Sequence, residues 1–175
     1  YGNSGTYGIS MGGRTLTGNA VTLGQAAVTV GGVNMATSSS PINLNADAII
    51  VNAGASTNWA GKVDSSGSLT IQSIGNSFTS ALTWPVTGLT LNSNLSGLTI
   101  GKSTNTQNVT IGSATSIAGA INIYGAAIAV NAALTSTGTN ANGNISISGS
   151  SGSQTGAITT GTGGVFQFNG AAAGS

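Results

Sequence analysis

The sequence predicts an all-β parallel β-solenoid. Three observations carry that prediction: short apolar-polar-apolar units recur along the chain, their spacing is nearly constant, and charge is almost absent. In order, the units are Val28-Thr29-Val30, Ile42-Asn43-Leu44, Ile49-Ile50-Val51, Leu69-Thr70-Ile71 and Leu89-Thr90-Leu91. They continue with Leu98-Thr99-Ile100, Val109-Thr110-Ile111, Ile121-Asn122-Ile123, Ile128-Ala129-Val130 and Ile145-Ser146-Ile147. Most have the period of two that a strand with one buried face requires, and β-branched residues are frequent in them. No stretch sustains a helical period, and the intervening glycines and asparagines would interrupt one.

Spacing turns a set of strands into a coil. Taking Val30, Val51, Ile71, Leu91, Ile111, Val130 and Ile147 as equivalent gives sequence steps of 21, 20, 20, 20, 19 and 17. A step near 20 is the mark of a solenoid. It predicts roughly eight turns, each with two or three short strands joined by Gly/Asn/Ser/Thr corners and stacked in parallel about 4.8 Å apart. The stretch INLNADAIIVNA from Ile42 matches INIYGAAIAVNA from Ile121 at seven of twelve positions. The distance in sequence from Ile42 to Ile121 is close to four such turns. A narrow coil of this kind needs only a single file of Val, Ile and Leu behind each face. Asn43, Asn52, Asn122 and Asn131 recur within or after strand units, where stacked amides would form a ladder from turn to turn and isolated ones would simply make corners.

Composition then removes whole classes of function. The 175 residues hold 3 basic and 2 acidic side chains, with no His and no Cys, and charged residues make up 3% against about 25% in an ordinary soluble domain. A His/Cys metal centre cannot be assembled, and general acid-base chemistry has only Asp47 and Asp64 to draw on, well separated in sequence. Neither aspartate sits in an Asp-rich loop of the kind that holds calcium. Arg14, Lys62 and Lys102 are too scattered to neutralise phosphates, so nucleic acid is not an expected partner. No catalytic site and no cofactor are expected. No stretch approaches 18 apolar residues without polar interruption, as a spanning helix would require. A hydrophobic fraction of 39% and a mean hydropathy of +0.26 set the chain apart from a solvated Gly/Ser linker.

Two features invite a contact role. Trp59, in the polar segment NAGASTNWAGK, and Trp84, before Pro85, are aromatics that would stack on sugar rings or anchor a partner if exposed. The bland alternative for Trp84 is that it fills a widened turn. Thr-rich faces also raise ice binding, but the corners vary more in length than a lattice-matched array tolerates. Solenoid ends expose strand edges, and low charge removes the repulsion that discourages association, so self-association is a further expectation.

The segments SIAGAINIYGAAIAVNAALTSTGTNANGNISI (Ser116 to Ile147), SPINLNADAIIVNAGAST (Ser40 to Thr57) and LTLNSNLSGLTIGKSTNTQNVTIGSATS (Leu89 to Ser116) resemble the repeat region of filamentous haemagglutinin-like proteins. These are large exoproteins of two-partner secretion in Gram-negative bacteria. The resemblance covers roughly residues 15 to 160. It implies a right-handed parallel β-helix, a hand that the general bias of parallel crossovers also favours. It further implies export through an outer-membrane transporter, a location on the cell surface or outside the cell, and adhesion to host cells, neighbouring cells or matrix. Residues 1–175 accordingly read as one solenoid segment excerpted from a longer repetitive protein. The expected function is the structural and adhesive shaft of such an adhesin, and the alternative is a self-assembling subunit of an extracellular filament or biofilm matrix fibre.

Overall fold

A computed structural model describes the backbone of residues 21–29, 35–37, 42–50, 62–65, 68–72, 76–78, 80–85, 90–91 and 93–170. It describes their side chains from Ser68 onward, Thr90 excepted. Among these residues the strands run β1 (Val21–Thr29), β2 (Met35–Thr37), β3 (Ile42–Ile50), β4 (Lys62–Ser65), β5 (Ser68–Gln72) and β6 (Leu82–Trp84). Next come β7 (Thr90–Leu91), β8 (Gly97–Ile100), β9 (Val109–Ile111), β10 (Thr115–Ile117), β11 (Ala120–Tyr124) and β12 (Ala127–Val130). The last are β13 (Leu134–Ser136), β14 (Ile145–Ser148), β15 (Ser151–Gln154), β16 (Ile158–Thr159) and β17 (Phe166–Asn169), with a 3-10 turn at Asn140–Gly143 before β14. All ten sequence units fall on strands, apart from the terminal Val30, Val51 and Leu89, which lie outside the described residues.

The strands form parallel ladders. The first sheet has the order β1-β3-β5-β8-β11-β14-β17, and the second has β6-β9-β12-β15 along its length. A third face carries two shorter ladders, β2-β4-β7 and β10-β13-β16. From β5 onward the chain visits first sheet, second sheet and third face in turn and then repeats, which is the path of a solenoid. Seven strands at the usual parallel spacing make the first sheet about 29 Å long.

Register corrects the turn length. On the first sheet Val21 faces Ile42, which faces Leu69, then Leu98, Ile121, Ile145 and Phe166. The sequence steps along that column are 21, 27, 29, 23, 24 and 21, so turns are longer and less uniform than 20, and seven first-sheet strands lie among the described residues. The expected register had mixed faces. Ile71 and Ile147 belong to the first sheet, Ile111 and Val130 to the second, and Leu91 to the third face. Among those residues only Ile111 and Val130 face one another. The internal repeat keeps its meaning with a new count. Ile42 and Ile121 occupy the same column, but three turns separate them, through Leu69 and Leu98, where four were expected.

Corners account for the variation. Between first and second sheet lie residues 73–81 after β5, of which 76–78, 80 and 81 are described, and 101–108 after β8, but only 125–126 after β11 and 149–150 after β14. Elsewhere the corners stack backbone on backbone. A Cβ at Gly119 would overlap the Ser96 carbonyl in the turn before it, and one at Gly161 would overlap the carbonyl of Gly138. A side chain at either place would force the turns apart.

Inside, the columns are aliphatic. Leu69, Leu98, Ile121 and Ile145 form one file behind the first sheet, and Ile71, Ile100, Ile123 and Ile147 form the next, all buried. Val109 and Ile128, with Trp84, Ile111 and Val130, line the second sheet. Each such burial contributes roughly 1.5–3 kcal/mol. The third face is narrower and uses hydroxyls: Ser136 is buried opposite Ile117, and its Oγ donates to the carbonyl of Gly119 at 2.8 Å. That bond lets a small polar residue fill the interior without leaving a polar atom unpaired.

A single column position tests this packing. Ile123→Ala, flanked by Ile100 and Ile147, is expected to cost about 2–5 kcal/mol in urea unfolding. Thr135→Ala, on the outward side of β13, is expected to cost less than about 0.5 kcal/mol. Equal losses would contradict the assignment of inward and outward columns.

Candidate functional site

The two long corners are the most elaborated part of the described surface. They lie one above the other, and Asn105 joins them. Its side chain is 6% exposed. Its Oδ1 accepts from Ser77 Oγ at 2.9 Å, from the Phe78 amide at 3.2 Å and from the Gln107 amide at 3.2 Å. Its Nδ2 donates to the Tyr124 carbonyl at 3.0 Å and to the Gln107 carbonyl at 3.3 Å. One amide thereby binds three successive turns. The full set of partners explains why so polar a group can be buried.

Around this hub the corners are laced by hydroxyls. The Thr106 amide donates to Ser77 Oγ at 3.0 Å, and Thr106 Oγ1 approaches the same oxygen at 3.1 Å. Thr104 Oγ1 donates to the Asn76 carbonyl. Phe78 turns inward and is buried with the core, which anchors the upper corner. Gly101 begins the lower corner at φ +75°, a left-handed conformation that glycine adopts without strain, and a Cβ there would overlap the Tyr124 carbonyl. The result is a ridge whose exposed groups are Asn76, Ser103, Thr104, Thr106 and Asn108, with half-buried Lys102 beside them. It offers hydrogen-bond donors and acceptors with one cationic side chain, and it brings no pair of titratable groups together.

The residues singled out from sequence are dispersed. Trp84 is a correction. It is fully buried on β6, facing Ile111, so it cannot present its ring to a glycan or a partner. Its indole Nε1 is buried with no hydrogen-bond partner among the described residues, so the packing of the ring has to offset the cost of that N–H. Trp59 and Asn52 lie outside the described residues. Asn43 and Asn122 share a column of the first sheet by register, but they are three turns apart. Asn43 faces Thr70, while Asn122 faces Thr99 and Ser146. Asn131 is exposed in the corner after β12, where its backbone N–H donates to the Ile111 carbonyl at 3.0 Å. The neighbours of Asn43 and Asn122 are therefore hydroxyl residues, because turns of unequal length bring Thr and Ser into register with them. Asp47 lies on β3 and Asp64 on β4, in different sheets. Among the described residues no three His, Cys, Asp or Glu side chains gather.

Asn105 itself is inconspicuous in the sequence, within the polar string GKSTNTQN. The usable signal is its separation of 28 residues from Ser77, which matches one turn of this part of the coil and becomes visible only once the turn length is known.

A second feature lies at the last described turn. A cavity of about 200 Å³ is lined by Ile128, Val130, Ile147, Gly152, Phe166 and Phe168, among others. In the second sheet Gly152 and Gln154 stand where the preceding turn has Ile128 and Val130. The Phe168 ring leans across onto Gly152, where a Cβ would come within 2.6 Å of it. Phe166 and Val165 are exposed at 41% and 61%.

No family model, curated protein or solved structure matches the chain. The architecture described here is that of a repetitive all-β structural scaffold with parallel solenoid ladders.

The hub yields a prediction. Asn105→Ala leaves the buried Phe78 amide without this acceptor and is expected to cost about 1–3 kcal/mol. It should also open the chain at 76–78 and at 101–108 to limited proteolysis before the rest of the coil is cut. Unchanged cleavage at these corners would show that Asn105 does not hold them.

Proposed function

We propose that the chain is a shaft segment of a secreted bacterial surface adhesin, a spacer that holds adhesive surface away from the cell. The observation that supports this most is the pairing of a continuous aliphatic interior with outward columns of small neutral side chains. The first sheet presents Thr70, Thr99, Asn122, Ser146 and Gln167 in register. The third face presents Ser116, Thr135 and Thr159. Such a surface hydrogen-bonds to water and to neutral partners without the fixed charges that would repel other cell-surface polymers. The stitched corners around Asn105 are the part best built to carry adhesive contacts, because their polar groups are held in place by an amide bonded to three turns.

Resemblance of the repeats to filamentous haemagglutinin-like proteins supports the finer reading: export through a two-partner outer-membrane transporter and contact with host cells, neighbouring cells or matrix. Antibodies raised against the purified chain are expected to label intact producing cells or their surrounding matrix. Disruption of the transporter should abolish that label. Labelling that appears only after cell lysis would overturn a surface role. Beads carrying the chain should bind host, neighbouring-cell or matrix surfaces more than beads carrying an unrelated β-solenoid. Equal binding would leave a spacer without an adhesive function.

A further inference from the structure

We infer that the corner at 101–108 fuses the turns before and after it into one unit that opens all at once, a stop against turn-by-turn unzipping of the coil. The inference rests on the hydrogen bonding of that corner and is independent of adhesion or export.

A solenoid held by contacts between neighbouring turns comes apart one turn at a time, because its stability is close to a sum of terms for each turn and each interface. That description suits the turns that begin with β11 and β14, whose corners at 125–126 and 149–150 leave little chain between strands. The corner at 101–108 is built differently. It contains no strand, so ladder pairing does not order it.

Its last residues bond in both directions along the coil axis. Toward the turn before, Asn105 Oδ1 accepts from Ser77 Oγ and the Phe78 N–H, and the Thr106 N–H donates to Ser77 Oγ. The Asn108 carbonyl accepts from the Leu82 N–H at 2.9 Å on the same side. Toward the turn after, Asn105 Nδ2 donates to the Tyr124 carbonyl, and the Gln107 carbonyl accepts from the Ala126 N–H at 3.0 Å. Asn108 Oδ1 accepts from the Ala127 N–H at 3.1 Å. Asn105 and Asn108 thus each hold both neighbours. Gln107 ties the two sets together, its N–H donating to Asn105 Oδ1 and its carbonyl accepting from Asn105 Nδ2.

Loss of one neighbour therefore weakens the hold on the other. Separation of the turn after removes the Tyr124, Ala126 and Ala127 partners and admits water to the Asn105 side chain. Its Oδ1 then holds Ser77 and Phe78 in competition with solvent, where a hydrogen bond contributes much less than in the dry interior. Separation of the turn before acts the same way in the opposite direction. Phe78 strengthens the coupling, since the chain that carries it cannot leave without exposing a buried ring. The turns that begin with β5, β8 and β11 consequently open together. Unzipping that reaches them from either side has three turns to undo at once, and it halts there.

Native-state hydrogen exchange of the full chain, followed residue by residue in rising urea, tests the proposal. The N–H groups of Phe78, Gln107 and Ala126, one from each turn, are expected to share one opening free energy. It should lie above that of Thr155, whose N–H donates to the Val130 carbonyl at 2.9 Å farther along the coil. Three different values for the first set would overturn the proposal. So would one value common to all four residues, which would mean that the coil opens as a whole. Ser77→Ala deletes bonds between the first two of these turns, yet it should speed exchange at Phe78 and Ala126 alike, by about 10-fold, with Thr155 unchanged. Acceleration at Phe78 without Ala126 would contradict the coupling. Asn105→Ala should split the shared value into separate ones, and a shared value that survives it would remove Asn105 from the account. Asn144→Ala, which takes the acceptor from the Val165 N–H in the later turns, should leave all three residues as they are in the parent chain, and faster exchange at them would overturn the boundary of the unit.

Discussion

Parallel hydrogen bonding between successive turns is the constraint on which the rest of the molecule depends. Each strand is short, three to five residues in most cases, and none would hold its conformation alone. Stacking supplies what length does not, because a strand in the middle of a ladder has both edges satisfied by the turns before and after it. Once the ladders form, side chains of equivalent positions lie in files. A file of Leu, Ile and Val excludes water along the whole interior, although each turn contributes only a handful of apolar residues.

From that constraint follow the composition and the corners. Small residues at the corners let backbones approach closely, as at Gly119 and Gly161, while outward positions need only be compatible with strand geometry and water. Charge is dispensable on a surface of Thr, Ser and Asn. Its scarcity also means that nothing electrostatic sets one turn against the next. Where the corners lengthen, polar bonding takes over from ladder pairing. Asn105 and Ser77 do for the chain at 76–78 and at 101–108 what strand pairing does elsewhere. The corners after β11 and β14 are too short to need such a device.

The fold class was legible because its cause is local. Alternation in most of the ten short units is visible residue by residue, and those units coincide with strands. Turn length was not legible, because it depends on corners whose Gly, Ser, Thr and Asn look alike whether the corner is short or long. A constant step therefore drifted from the first sheet at Ile71 to the third face at Leu91 and the second sheet at Ile111. Two of the strands missed have weak apolar content. β10 buries Thr115 beside Ile117, and β13 buries Ser136 beside Leu134, so their inward faces read as polar. Trp84 was ambiguous for the opposite reason, since its size suits either a core or a contact surface and only burial decides between them. Asn105 has no local mark at all, because its role arises from residues one turn away on either side.

Register is the central claim, and cysteine pairing reads it directly because the chain contains no cysteine of its own. Thr99 and Asn122 face each other across adjacent strands of the first sheet. Parallel neighbours lie about 4.8 Å apart, within the roughly 4.4–6.8 Å that a disulfide spans. Thr99→Cys with Asn122→Cys is expected to cross-link rapidly under mild oxidation, whereas Lys102→Cys with Asn122→Cys, the pair that a uniform step of 20 would bring together, is not. Rapid closure of the second pair and failure of the first would contradict the ladders on which the whole structure rests.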